Sequence, residues 1–272
     1  MAQVVATHMV PALELPIRLQ EYGVGVFDLV LTKSALKKAI KKELILVNGV
    51  VGSTGTYITG GEKIELIASL RKIVKKQFIL ALEVVYEDDY LAVINKPAGI
   101  LVSGNSFKTV ANALVQNLIP SKETDAVIPK PVHRLDYPTT GLLLVGKTSS
   151  SIILLNKLFE EKKISKTYHA VTIKKMPPKG CIAFPVDDKE AVSKYEVLQT
   201  VVSDRFEYLN LVKLEPKTGR RHQLRKHLLV LGNPILGDTD YALENLSLKG
   251  KGLYLHASML KFVHPITKKH SN

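Results

Sequence analysis

His133-Arg134-Leu135-Asp136-Tyr137-Pro138-Thr139-Thr140-Gly141-Leu142-Leu143-Leu144-Val145 is the stretch on which the reading of this chain turns. An acidic residue in a loop is followed within a few positions by Gly141 and an uninterrupted apolar run. Such a run, bounded by turn residues, reads as a short buried strand. The loop then presents the Asp136 carboxylate at the edge of a rigid sheet, a common way to hold a catalytic group. Arg134 adds a cation two residues earlier. Taken alone the pattern has a plainer explanation, because an Asp ahead of a strand is often a turn former.

Outward from this stretch, the chain from about residue 82 alternates strands and helices. Val84–Tyr86 and Leu91–Ile94 read as strands about an Asp88-Asp89 turn. Val110, Leu114 and Leu118 mark one helix, and Ile152, Leu155 and Phe159 another. Tyr168–Ile173, Tyr195–Val202, Phe206–Leu214 and Leu253–Phe262 read as strands. Leu224, Leu228 and Leu231 form a helical stripe ended by Gly232 and Pro234. The expected class is α+β, strand-rich, over residues 82–272, with residues 268–272 frayed.

Residues 1–67 read as a separate small α+β unit. Thr32 or Ser34 caps a helix burying Leu36, Ala39 and Ile40. Lys33, Lys37, Lys38, Lys41 and Lys42 cover its other face. Asn48-Gly49 between apolar runs is a strong hairpin signal. Residues 68–81, with Arg71, Lys72, Lys75 and Lys76, are expected to be a basic linker.

Composition narrows the function. Thirty-eight Lys+Arg against 25 Asp+Glu give a net charge of +13 over 272 residues, which favours a polyanionic partner. No apolar run approaches the roughly 18 residues of a membrane span, and Met1–Val10 has no signal-peptide pattern. Cys181 is the single cysteine, so neither an internal disulfide nor a cysteine zinc cage can form. A cytoplasmic location is expected, with no metal and no cofactor.

The quoted stretch, with Val145-Gly146-Lys147-Thr148 after it, closely resembles the active-site box of the RluA family of RNA pseudouridine synthases. Further segments resemble that family in the same order. They are Tyr86-Glu87-Asp88, Asn95 to Gly99, Lys166-Thr167-Tyr168, Gly219 to His227, Asn233 to Asp238 with Tyr241, Leu255-His256-Ala257 and His264-Pro265. The likeness spans residues 84–265. Two departures stand out: Tyr137-Pro138 replaces a basic residue followed by Asp, and little chain follows His264-Pro265. More loosely, Ser34–Lys41, Val47-Asn48-Gly49 and Gly60 to Ile64 resemble the S4 RNA-binding module.

The resemblance implies an isomerase that converts uridine in structured RNA to pseudouridine, with ribosomal RNA favoured over transfer RNA. It also implies a pseudouridine synthase core, a bent, largely antiparallel mixed sheet with flanking helices and a cleft across its middle. Asp136 is then the essential carboxylate. Arg225 holds it ionised and oriented, with bidentate geometry expected. Tyr168 packs on the uracil and assists loss of the C5 proton. Arg134 takes the place of the flipped base. Leu255, His133 and Thr140 contact substrate, although the chemistry needs no imidazole and the histidines are expected to be scaffold. Lys96 and Pro97 shape the pocket rim. Lys33, Lys37, Lys38 and Lys41 contact RNA. A monomer is expected. The competing reading is a non-catalytic RNA-binding or ribosome assembly factor that retains the fold.

Overall fold

A computed structural model describes residues 3–67, 78–246, 248 and 250–271. The chain divides into two compact units, Met1–Lys76 and Gln77–Asn272.

The first unit holds β1 (Val4–Met9), β2 (Ile17–Arg18), α1 (Leu19–Tyr22), α2 (Lys33–Lys41), β3 (Ile45–Val47), β4 (Val50–Val51), β5 (Tyr57–Ile58) and β6 (Lys63–Ile67). The Thr32 hydroxyl caps α2 by accepting from Ala35 N–H at 3.1 Å. Helical periodicity puts Leu36, Ala39 and Ile40 into a core with Leu19, Ile45, Ile58 and Ile64, while Lys33, Lys37, Lys38 and Lys41 stay exposed. Asn48 and Gly49 both take positive φ, 50° and 77°, as a two-residue hairpin between β3 and β4 requires.

The second unit holds β7 (Glu83–Glu87), β8 (Leu91–Lys96), α3 (Val110–Asn117), β9 (Ala126–Pro131), β10 (Thr140–Thr148), α4 (Ser149–Glu160), β11 (Ser165–Ile173), β12 (Lys179–Ile182), β13 (Ser193–Ser203), β14 (Glu207–Pro216), α5 (Gln223–Val230), β15 (Leu255–Val263) and β16 (His270–Ser271). One ten-stranded sheet runs β12-β13-β14-β11-β15-β10-β8-β7, with β9 on β10 and β16 on β15. Every pairing in it is antiparallel except β10 with β15, which is parallel and only two residue pairs long: Thr140 with His256 and Gly141 with Ala257. The expected class, α+β with a mixed and mostly antiparallel sheet, is borne out.

The apolar run in β10 has a packing cause. Leu143 and Val145 join Ala92, Ile94 and the α3 residues Val110, Ala113 and Leu114. Leu144 faces the other way, to Leu91, Val93 and Leu155 of α4. A strand covered on both faces loses the alternation of a half-exposed one. Around α5, Leu224 and Leu228 pack on Ala170, Val212 and Leu214.

Two expectations need correction. Residues 78–81 are not linker: Phe78 and Leu80 pack on the core of the second unit, and Asn117 Nδ2 donates to the Leu80 carbonyl at 2.8 Å. The rest of the expected linker, 68–77, lies outside the described residues. The chain end is not frayed throughout, because Phe262 and Val263 pair with Ser271 and His270.

Candidate active site

A cleft of ≈ 1190 Å³ is lined by the loop ahead of β10, by β11, β14 and β15, and by the turn leading into α5. These elements sit in the middle of the strand order. Asp136, Tyr168, Arg225, Arg134, Leu255 and His133, scattered over more than 120 residues of sequence, all line it. Lys162, Lys166, Lys217, Arg220 and Arg221 make the walls cationic, which suits a phosphate backbone.

Asp136 is held from below. Leu135, beside it, is buried in the core. Lys96, fully buried at the end of β8, donates from Nζ to the carbonyls of Pro97, Tyr137 and Thr139 at 2.9, 3.2 and 2.9 Å. Gly99 N–H donates to the Tyr137 carbonyl at 2.9 Å. One ammonium therefore ties the Pro97 turn to the loop carrying Asp136. Burial pulls Lys96 down to about 8, and the nearby Asp136 charge opposes this. Lys96 was expected only at the rim; it is the fastening of the loop. Thr139 is also buried, and its Oγ1 has no hydrogen-bond partner.

Arg225 departs from the expected geometry. Its fork is spent on Asp238, with Nε and one terminal nitrogen each 2.7 Å from a carboxylate oxygen. The same terminal nitrogen reaches Asp240 at 2.9 Å. Burial penalises the guanidinium, but Asp238 first, then Asp240 and the field of Asp136, outweigh it and keep Arg225 charged. Arg225 thus acts on Asp136 through its field and not as a bidentate partner.

Tyr168 lies at the boundary of two cores and packs against both. Burial raises its phenol, and the Asp136 charge raises it further. A phenol so placed keeps its proton at neutral pH, which argues against the expected part in taking a proton from C5. Arg134 is exposed, lines the cleft, and has no salt bridge or hydrogen bond from its side chain among the described residues. Leu255 is buried in the lining.

His133 lines the cleft but is committed to the scaffold. Leu144 N–H donates to its Nε2 at 2.9 Å, so that nitrogen carries no proton, and Phe159 lies 4.8 Å away, ring to ring. Burial, then Lys166, lowers its pKa to about 3. It is scaffold. Thr140, expected to contact substrate, is not part of the cleft lining; its hydroxyl pairs with His256 Nδ1 at 2.8 Å. As first residue of β10 it belongs to the short parallel seam with β15.

His222 was read from the sequence as scaffold, yet its imidazole faces the Asp136 carboxylate. Its Nε2 lies 3.8 Å from Asp136 Oδ1, and its Nδ1 lies 3.0 Å from the Tyr241 hydroxyl. Burial lowers its pKa against the pull of Asp136.

A carboxylate fixed over a cationic cleft, flanked by a neutral phenol and a charged arginine, is the equipment for opening a glycosidic bond in a polyanion. The chain belongs to the RNA pseudouridylate synthase family, whose sequence profile matches residues 90–229. The expectation carried by residues 84–265 is thereby borne out at the level of the family. Ribosomal large subunit pseudouridine synthase D of Vibrio cholerae is 34% identical over 264 residues, spanning 87% of this chain and 80% of that protein. tRNA pseudouridine synthase C of Vibrio parahaemolyticus is 32% identical over 69% of this chain and 87% of its own length. Among solved structures, human RNA pseudouridylate synthase domain containing 4 superposes with a TM-score of 0.55 at 27% identity, covering 66% of this chain and 84% of that one. Among the described residues no helix is long and apolar enough to cross a membrane.

Proposed function

We propose that this protein isomerises specific uridines in structured RNA to pseudouridine, with large-subunit ribosomal RNA the favoured substrate class and transfer RNA the second. The observation that carries the reading is the placement of Asp136 in a cationic cleft beside Arg225 and Tyr168. The substrate order follows the names of the relatives, with ribosomal synthases ahead of the transfer RNA enzyme.

In this reading Asp136 works beside the charge of Arg225. Its oxygen bonds to the sugar C1′, or takes the proton on C2′, as the C1′–N1 bond breaks and its electron pair leaves on uracil N1. The uracil turns against Tyr168 and Leu255, and its C5 bonds to C1′ as the Asp136–C1′ bond breaks and releases the carboxylate or, in the second route, as C2′ regains its proton from Asp136; the C5 proton then departs to solvent and N1 takes one up, which restores the ring. Arg134, unpaired among the described residues, stacks where the extruded base had been, offsetting the few kcal/mol of unstacking. The protein acts as a cytoplasmic monomer, with no metal or cofactor in these steps.

The first unit, by its exposed lysines on α2, serves as an S4-like RNA-binding module. Its test is Lys37→Ala, Lys38→Ala and Lys41→Ala together. RNA affinity should fall and the slope of log K against log salt should shrink by about 2–3, each lost phosphate contact contributing about 0.7–0.9. An unchanged slope would count against the module.

The decisive test is tritium release from C5-tritiated uridine in ribosomal and transfer RNA transcripts, wild type beside Asp136→Asn. Release by wild type alone establishes the isomerase and its RNA class. Tight, salt-sensitive binding without release would instead favour an RNA-binding factor on this fold.

A further inference from the structure

His222 takes a left-handed backbone conformation that residues with a Cβ populate sparsely. It is the residue before α5, with φ 55° and ψ 24° in the left-handed region, and its side chain caps nothing. A residue with a Cβ is held there only where its surroundings over-determine it, and such residues gather at functional sites. The surroundings here are explicit. Gln223 accepts from the Thr218 hydroxyl at 2.7 Å and from Arg220 N–H at 3.0 Å, and donates to the Val192 carbonyl at 3.0 Å and Ser193 Oγ at 2.9 Å. That clamp fixes the turn and turns the imidazole into the cleft.

The imidazole is fixed at its other end too. Tyr241 OH is 3.0 Å from Nδ1, and the two rings meet edge to face at 5.6 Å. Tyr241 is itself held, its N–H donating to Asp238 Oδ1 at 3.0 Å and its ring 4.8 Å from the Arg225 guanidinium carbon. With Arg225 committed to Asp238 and Asp240, no hydrogen bond reaches the Asp136 carboxylate among the described residues, and His222 Nε2 at 3.8 Å is the only Lys, Arg or His nitrogen within 4 Å of it among them. The tautomer follows from the neighbours. A proton on Nδ1 would leave the Nε2 lone pair facing a carboxylate. A proton on Nε2 lets the Tyr241 hydroxyl donate to Nδ1 and aims N–H at Asp136.

We propose that His222 is the positioning residue of Asp136, donating Nε2–H to the carboxylate when RNA closes the 3.8 Å gap, with Tyr241 setting its tautomer. The inference rests on Asp136 being the essential carboxylate. Catalytic hydrogen bonds that are long in the free enzyme commonly tighten in the substrate complex.

The test uses the full chain and tritium release from the transcript that wild type modifies, with Asp136→Asn as the inactive reference. His222→Asn tolerates the left-handed backbone but is too short to reach Asp136. It should lower kcat roughly 10–100-fold, the usual effect of losing an orienting partner, with KM within about threefold. His222→Gln, whose amide reaches the Nε2 position, should recover most of that loss. Tyr241→Phe should lower kcat alone and add nothing in the His222→Asn background. If His222→Asn keeps kcat within twofold of wild type, or if its loss lies wholly in KM, His222 is not a positioning residue, and the isomerase reading stands. If wild type itself releases no tritium from any RNA, the isomerase reading fails and takes this inference with it.

Discussion

Arg225 and Asp238 form a buried two-point ion pair at 2.7 Å on each arm, both side chains at most 2% exposed. Removing one partner strands the other charge in the interior, at a cost of about 3–5 kcal/mol. Asp238→Asn should therefore lower the thermal midpoint by on the order of 10 °C. It should also lower kcat, because the Arg225 charge near Asp136 loses its anchor. Arg225→Lys should fail similarly, since an ammonium cannot span the fork. Calorimetry beside the tritium assay checks both. A midpoint within 2–3 °C of wild type would show the pair to be dispensable.

Lys96 predicts an alkaline limb in activity. Above its pKa of about 8 the amine keeps two N–H groups for three carbonyls, so the loop bearing Asp136 loosens. The three carbonyls also favour the charged form, so the limb should fall at pH 8 or above. Global stability moves the other way. Between pH 8 and 10.5 the unfolded chain still binds the proton that the folded chain has lost, and stability rises with pH where the unfolded state binds more protons. A falling kcat with no matching fall in midpoint is the expected signature. Lys96→Met should remove the limb along with most activity.

Four histidines predict acid sensitivity. Burial lowers His133 to about 3 and also lowers His222, His227 and His256 below their usual value. Below pH 6.5 the unfolded chain takes up protons that the folded chain refuses, so stability is full above 6.5 and drains as pH falls toward 3. The thermal midpoint should be level above pH 7 and decline steadily from 6.5 to 5. His133→Gln, which can accept from Leu144 N–H without titrating, should show a shallower decline. A flat wild-type profile down to pH 5 would contradict the burial of these rings.

Thr139 predicts a gain. Its buried Oγ1 has no partner, and an unsatisfied buried hydroxyl costs about 1–3 kcal/mol. Thr139→Val, of the same shape, should raise stability by about 1 kcal/mol in denaturant unfolding. A loss of kcat despite that gain would mean that bound RNA supplies the missing partner.

Much of the site was legible because its parts lie in short contiguous segments. The order His133 to Asp136, Tyr168 and the run through Arg225 all converge on one cleft. What escaped reading depends on distance in sequence. The partner of the Arg225 fork is 13 residues away and the His222 to Tyr241 contact spans 19, and residue types alone cannot choose between Asp136 and Asp238. Strand β9 escaped for another reason. Pro129 and Pro131 suppress a strand reading, yet the segment pairs antiparallel with β10 from Pro131 to Ala126. The charged face of α2, by contrast, follows directly from helical spacing.

The two-pair parallel seam between β10 and β15 has a consequence for how this enzyme dies. The carboxylate rides on the β10 side, while Tyr168, His222 and Arg225 ride on or beside strands reached through β15. At Gly141, φ 111°, a Cβ would collide with the Ala257 backbone, so the two halves meet backbone to backbone with no side chain as a spacer. Catalytic geometry is thus read across the narrowest join on the path from β12 to β7. Rising denaturant should silence turnover while most of the circular dichroism survives, which makes activity itself a gauge of that join.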